Sequence, residues 1–107
     1  MSQTLPQILV LVENDEVRIS SHGYDELAAD SITVRDVIAG EFDAVVVEDY
    51  PDYGKGSAVL VLQRDGDDRP VHVIRGIPKG YATPAVLVTA YRPDPARWSN
   101  GFLRRRR

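Results

Sequence analysis

The stretch "SAVLVLQRDGDDRPVHVI" (residues 57–74) decides the fold. It contains two runs rich in aliphatic and β-branched residues, "SAVLVLQR" (57–64) and "PVHVI" (70–74). Between them lies "DGDD" (65–68), whose glycine and aspartates favour a tight turn. Two such runs joined by a turn predict a β-hairpin. The segment "AVLVL" (58–62) is apolar at every position, which predicts a strand that is buried on both faces and central in its sheet.

Two more runs of the same kind flank the hairpin. "FDAVVVE" (42–48) precedes it and "AVLVTAY" (85–91) follows it. Segments rich in Gly, Pro and Asp separate the four runs, and they predict the turns of a strand meander. "VRIS" (17–20) alternates apolar and polar residues, which predicts one short additional strand.

The residues before this meander have a helical period. Apolar residues recur at the spacing of one helix face between residues 5 and 12, although their β-branched character leaves a strand open as an alternative. Ser20 or Ser21 can cap a second helix, and Thr33 can cap a third that ends at Gly40. Helices followed by a strand meander predict an α+β fold, with N-terminal helices packed on one face of a four- or five-stranded antiparallel sheet.

The length and composition suit a single domain. The chain has 107 residues, so we expect one domain over residues 1–107, with frayed ends at 1–4 and 104–107. It has no cysteine, which excludes disulfides and thiolate sites and fits a reducing cytoplasm. Its apolar runs are far too short to span a bilayer. We therefore expect a cytoplasmic protein that has no membrane partner.

Charge is distributed unevenly along the chain. Residues 1–91 carry 7 basic and 15 acidic side chains, a net charge of −8, whereas residues 92–107 carry 6 arginines and one aspartate, a net charge of +5. An acidic body repels nucleic acid, and a short arginine run attracts phosphates, although such a run is also typical of a solvated terminus. The acidic residues of the helical segments form either a solubilising surface or a site for a basic partner.

Two histidines are the candidate catalytic residues. His22 begins the second predicted helix, where it can act as a general base or contact Asp25 or Glu26 locally. His72 lies inside a predicted strand, on the face that carries Ile74. Each histidine alone favours a structural role, but the two side chains meeting beside an arginine would form an acid–base pair for RNA cleavage. Two histidines without a carboxylate motif do not define a metal site, and we expect neither a metal nor a cofactor.

The segment "YRPDPARW" (91–98) contains the candidate RNA-binding residues. Trp98 either folds back onto the body as an apolar anchor or stacks on the bases of single-stranded RNA. In the second case Arg92 and Arg97 would hold the phosphates.

The order and spacing of four motifs resemble those of family 4258 of the bacterial domains of unknown function: "SHGYDELAADSI" (21–32), "RDVIAGE" (35–41), "RPVHVI" (69–74) and "TAYRPDPARW" (89–98). The resemblance implies a relation to BrnT-type and RelE-type toxins and to their fold. Where the family usually has two arginines after its histidine, this chain has Glu26 and Asp30. RNA phosphates would meet carboxylates at these positions, which argues against RNA cleavage by this chain.

Two hypotheses for function follow from the sequence. The first is a small bacterial domain that acts through protein contacts, with an antitoxin-like protein or a second copy of the chain as its partner. The second is an RNA-cleaving toxin that uses His22 and His72, with RNA as its substrate.

Overall fold

The described chain begins with α-helices, and one short strand lies between the first and the second of them. The computed structural model describes residues 3–51 and 56–106, so residues 1, 2 and 107 of the predicted frayed ends lie outside the described part. The helices are α1 (Thr4–Glu13), α2 (Ser21–Ala29) and α3 (Val34–Ala39), and α3 is followed by a 3-10 turn (Glu41–Asp43). The strands are β1 (Val17–Ile19), β2 (Val45–Tyr50), β3 (Gly56–Arg64), β4 (Pro70–Pro78), β5 (Ala85–Tyr91), β6 (Trp98–Ser99) and β7 (Arg104–Arg105).

Side-chain caps begin the second and third helices where the sequence predicts them. Ser20 Oγ accepts a hydrogen bond from the Gly23 amide at 2.9 Å, and Thr33 Oγ1 accepts one from the Asp36 amide at 3.1 Å. Each cap satisfies an amide that has no partner within its own helix. α1 covers residues 5–12, which confirms the helix there and excludes the alternative strand.

Five of the described strands form one mixed sheet in the order β1-β5-β4-β3-β2. β2 to β5 pair in antiparallel fashion, and the predicted hairpin turn closes where the Asp65 amide donates to the Arg69 carbonyl at 3.0 Å. β1 runs parallel to β5, with Val17 opposite Ala85. The prediction of a purely antiparallel sheet is therefore wrong at one edge.

The direction of β1 follows from the path of the chain. Parallel neighbours need a long crossover connection, and here the helices and the β2–β4 meander provide it. A strand of three residues carries an alternation of apolar and polar side chains but no information about the direction of its neighbour.

The helices pack on one face of the sheet, as predicted. Gly23 lets α2 approach β5 closely, because a Cβ at this position would lie 2.9 Å from the Leu87 carbonyl oxygen. Burial of this face away from water is the main force that holds the helices on the sheet. The buried apolar residues come from all three helices, from the α2–α3 connection and from β3, β4 and β5: Ile8, Leu11, Leu27, Ile32, Val37, Val59, Val61, Val71, Val73, Ile77, Ala85, Leu87 and Ala90.

The chain after β5 returns over the opposite face of the sheet. We call residues 97–106 the C-terminal strap. Its two short strands form a hairpin in which Trp98 lies opposite Arg105. Residues 104 and 105, predicted to be part of a frayed end, form β7 of this hairpin. Within residues 3–51 and 56–106, no helix combines the length and the apolar character needed to cross a membrane.

Candidate functional site

The outer face of the sheet, on the side away from the helices, holds the candidate site. Alternate residues of each strand point to this face, and strand pairing aligns them in rows that run across the strands. The first row is Tyr50, Ala58, Gly76 and Val86, the second is Glu48, Leu60, Ile74 and Thr89, and the third is Val45, Leu62, His72 and Tyr91.

The C-terminal strap covers the third row. Trp98 is 5% exposed, and its ring meets the ring of His72 edge-on with 4.4 Å between centroids. His72 Nε2 lies 2.8 Å from the Phe102 carbonyl oxygen, and His72 Nδ1 lies 3.2 Å from the Tyr91 hydroxyl. A carbonyl oxygen only accepts, so Nε2 carries the proton and Nδ1 accepts from Tyr91. Burial lowers the pKa of His72, which keeps this ring neutral. The neutral ring holds the strap through its hydrogen bond to Phe102.

An ion pair fastens the same strap to the second row. Arg105 donates two hydrogen bonds to the carboxylate of Glu48, at 2.8 and 3.0 Å, and its guanidinium lies 4.8 Å from the centre of the Trp98 ring. The Tyr50 hydroxyl donates to the same carboxylate. The bonds from Arg105 hold the pKa of Glu48 below its ordinary value, while burial raises the pKa of Tyr50. Glu48 is therefore ionised at neutral pH and serves as an attachment point.

The C-terminal strap does not reach the first row, which forms the floor of an apolar cleft of about 440 Å³. Ala58 and Gly76 are buried in this floor. Both residues are small, so they leave the cleft deep at this point. Val86 and Val88 line the cleft from β5, and Tyr50 lines it from β2. Val88 is 38% exposed, so the cleft offers apolar surface to solvent.

The two candidate catalytic histidines occupy different parts of this face. His22 is exposed at the rim of the cleft, and its Nε2 lies 3.4 Å from Glu26 Oε1, the local contact predicted for it. His72 is buried under the strap, with a hydrogen-bond partner at each ring nitrogen. Neither ring contacts the other in the described structure, and each has its own partners. The geometry gives no support to an acid–base pair of His22 and His72.

The three candidate RNA-binding residues lie in different environments. Arg92 Nη1 lies 2.7 Å from Asp65 Oδ2, so this guanidinium is already paired. The backbone hydrogen bond from Arg69, the pairing with Arg92 and a second backbone hydrogen bond from Asp67 hold the pKa of Asp65 low. Arg97 is exposed. Trp98 is buried, which fits the interpretation of this residue as an anchor and leaves no ring surface for stacking on bases.

Sequence reasoning missed a buried ion pair on the helix face of the sheet. Glu41 and Arg75 are 1% and 3% exposed, and Arg75 Nε contacts Glu41 Oε1. Glu41 Oε2 and Arg75 Nη2 have no hydrogen-bond partner within the described residues. Arg75 lies between the apolar Val73 and Ile77 on the same face of β4. An arginine on an otherwise apolar strand face was the available signal in the sequence.

Burial shifts the pKa of both side chains of this pair. It raises the pKa of Glu41 to about 7 against the attraction of Arg75, and it lowers the pKa of Arg75. A single ion pair without further hydrogen bonds does not offset the loss of hydration of the carboxylate. No three His, Cys, Asp or Glu side chains in the described part of the chain are grouped to hold a metal ion.

The stability contributed by Glu41 should fall as the pH rises from about 4.5 to about 7. In this window the unfolded chain has lost the proton and the folded chain still holds it, so a rising pH favours unfolding. The full loss is at most about 3.5 kcal/mol, from about 1.4 kcal/mol for each of the roughly 2.5 units between 4.5 and about 7. Chemical denaturation of the wild type and of Glu41→Gln across this range measures it.

The matched variant is needed because His72 acts in the opposite direction. Its lowered pKa makes stability fall as the pH drops below the pKa of an unfolded histidine. This contribution is present in both proteins, so the difference between the two curves isolates Glu41. A difference that does not change with pH would contradict the raised pKa.

The geometry defines a small α+β domain whose outer sheet face is half covered by its own C-terminal strap. The family model of the "Domain of unknown function (DUF4258)" matches residues 19–92, well over half of the chain. The chain therefore belongs to this family, and the predicted family is confirmed. The match includes all three rows of the outer face and ends before the strap. Comparisons with curated proteins and with solved structures find no match.

Proposed function

We propose that the protein is a binding domain that holds an apolar segment of a partner protein in the outer-face cleft. The observation that carries this proposal is the half-covered sheet face: the strap covers the third row, and the first row stays open. An apolar recess with a polar rim is typical of an interaction site. Ile74, Val86 and Val88 supply the apolar contacts.

The partner segment should carry basic residues beside its apolar ones. Glu26 contacts His22 at the rim, Asp25 is exposed on the same helix, and residues 1–91 carry a net charge of −8. Such a field steers a basic segment toward the acidic body. Arg18 pairs with Val86 at the β1 end of the first row. Its positive charge locally disfavours a basic partner segment. An antitoxin-like protein with an apolar, basic segment is one such partner.

Peptides selected from a displayed random library on the wild type should be apolar with basic flanks. Val88→Asp should weaken their binding roughly tenfold or more, because the new carboxylate would be desolvated against apolar side chains. Ile38→Asp is the matched control, since Ile38 is 40% exposed but lies on α3, outside the cleft. Glu26→Lys should weaken binding and Arg18→Glu should strengthen it.

Three results would count against this proposal. Selected peptides that tolerate Val88→Asp do not use the cleft. Peptides without basic residues contradict the charge argument. A dimer that dissociates in Val88→Asp during sedimentation would make a second copy of the chain the occupant.

RNA cleavage by His22 and His72 stays a prediction of the resemblance, as does the relation to BrnT-type and RelE-type toxins. It has less support than binding, because His72 has no ring nitrogen free for a proton of the substrate. Cleavage of RNA by the purified wild type, lost in His22→Ala, would replace the binding proposal.

A further inference from the structure

The C-terminal strap separates its arginines onto two sides. Trp98 and Arg105 pair across the hairpin and face the sheet, where Arg105 binds Glu48. The Arg106 amide donates to the Arg97 carbonyl oxygen at 2.8 Å, which extends the hairpin pairing by one position. Side chains alternate along a strand, so Arg97, Arg104 and Arg106 lie together on the side away from the sheet. We call these three residues the outer arginine stripe.

The outer arginine stripe lacks carboxylate partners in the described part of the chain. The ion pairs found within residues 3–51 and 56–106 use His22, Arg75, Arg92 and Arg105. Arg106 Nε donates to the carbonyl oxygens of Pro95 and Trp98, at 2.9 and 3.0 Å, which orients the guanidinium without neutralising it. Like charges on neighbouring positions of one hairpin face repel one another, and a bound polyanion would relieve the repulsion.

The stripe is held in place before any ligand arrives. Its hairpin is attached to the sheet by the Glu48–Arg105 ion pair, by the hydrogen bond between His72 and the Phe102 carbonyl, and by the buried ring of Trp98. Fewer side chains and less backbone must be ordered on binding than in a free tail.

We propose that the outer arginine stripe binds the phosphate backbone of nucleic acid. Guanidinium groups match the geometry of phosphate oxygens, and a run of phosphates supplies the repeated negative charge that three neighbouring arginines require. A protein partner would need apolar anchors, and Leu103, at 36% exposure, is the one exposed large apolar side chain of the strap. Trp98 is buried and cannot stack on bases, so the binding should not depend on the nucleotide sequence.

This site is separate from the outer-face cleft and does not depend on the proposed partner protein. The acidic body confines nucleic acid to the strap, since residues 1–91 carry −8 and residues 92–107 carry +5. The family match ends at residue 92, so the strap arginines belong to a part of the chain that the family model does not cover.

Fluorescence anisotropy of a labelled oligouridine with the full chain tests the proposal. Three phosphate contacts predict a slope of about −2 in the logarithm of the binding constant against the logarithm of salt concentration. The triple variant Arg97→Gln, Arg104→Gln, Arg106→Gln should bind roughly tenfold or more weakly at low salt, with a slope near zero. The corresponding oligodeoxythymidine should bind about as well as the RNA, because no contact reads the 2′-hydroxyl.

The matched control changes the same charge elsewhere. Arg18, Arg35 and Arg69 are exposed on β1, α3 and the β3–β4 turn, and their replacement by glutamine should leave the salt slope unchanged. An equal loss in this control would show a net-charge effect and overturn the proposal. No binding at low salt, or tighter binding of a polyglutamate peptide than of oligouridine, would also overturn it. Val88→Asp should leave RNA binding intact, which separates this test from that of the cleft.

Discussion

Glu41→Leu should lower the free energy of unfolding by about 3–5 kcal/mol at a pH above the pKa of Glu41. The substitution leaves the guanidinium of Arg75 buried at 3% exposure with no opposite charge beside it. A guanidinium does not deprotonate in a protein, so the charge cannot be removed by releasing a proton. Urea denaturation monitored by circular dichroism measures the loss.

The reciprocal variant should behave differently because a carboxylate can take up a proton. Arg75→Leu leaves Glu41 alone, and at low pH Glu41 becomes neutral, so its cost should shrink as the pH falls. The double variant should recover much of the stability, because buried apolar pairs often replace buried ion pairs without loss. A loss below about 0.5 kcal/mol in Glu41→Leu would place this glutamate among ordinary surface residues and contradict its burial.

The local parts of the fold are the parts that the sequence predicts. Ser20 and Thr33 cap helices because a hydroxyl and an amide three residues apart need no other part of the chain. The β3–β4 hairpin depends on its own turn residues and is predicted for the same reason. The parallel pairing of β1 depends on where β5 returns, and three residues carry no signal for it.

The cleft and the strap follow from long-range pairing. Ala58 and Gly76 become a floor only because β3 and β4 align them in one row, and each residue alone resembles any small strand residue. "RRRR" (104–107) resembles a solvated tail, yet Arg105 meets Glu48 of β2 and orders the hairpin. His72 is assigned to the correct strand face from alternation, but its two hydrogen-bond partners come from β5 and the strap, distant in sequence.

Trp98 is the residue on which the order of the strap depends most. Its ring lies edge-on to His72 and under the guanidinium of Arg105, and 5% of the residue is exposed. Burial of a large aromatic side chain offsets the entropy lost when the strap is ordered on the sheet. The two polar fastenings, Arg105 to Glu48 and His72 to Phe102, depend on the position that this ring fixes.

Trp98→Ala should lower the free energy of unfolding by roughly 3–5 kcal/mol, the usual cost of removing a large buried aromatic. Typical domains have about 5–15 kcal/mol in total, so the variant should denature at a clearly lower urea concentration. Arg97→Ala is the control, since this neighbouring residue is exposed and its loss should cost less than about 0.5 kcal/mol. Trp98 is the single tryptophan, so its emission in the wild type should be blue-shifted and should move to that of a hydrated indole on unfolding. Hydrated emission from the folded wild type, with unchanged stability in Trp98→Ala, would contradict the anchor and leave the ring available for stacking on bases.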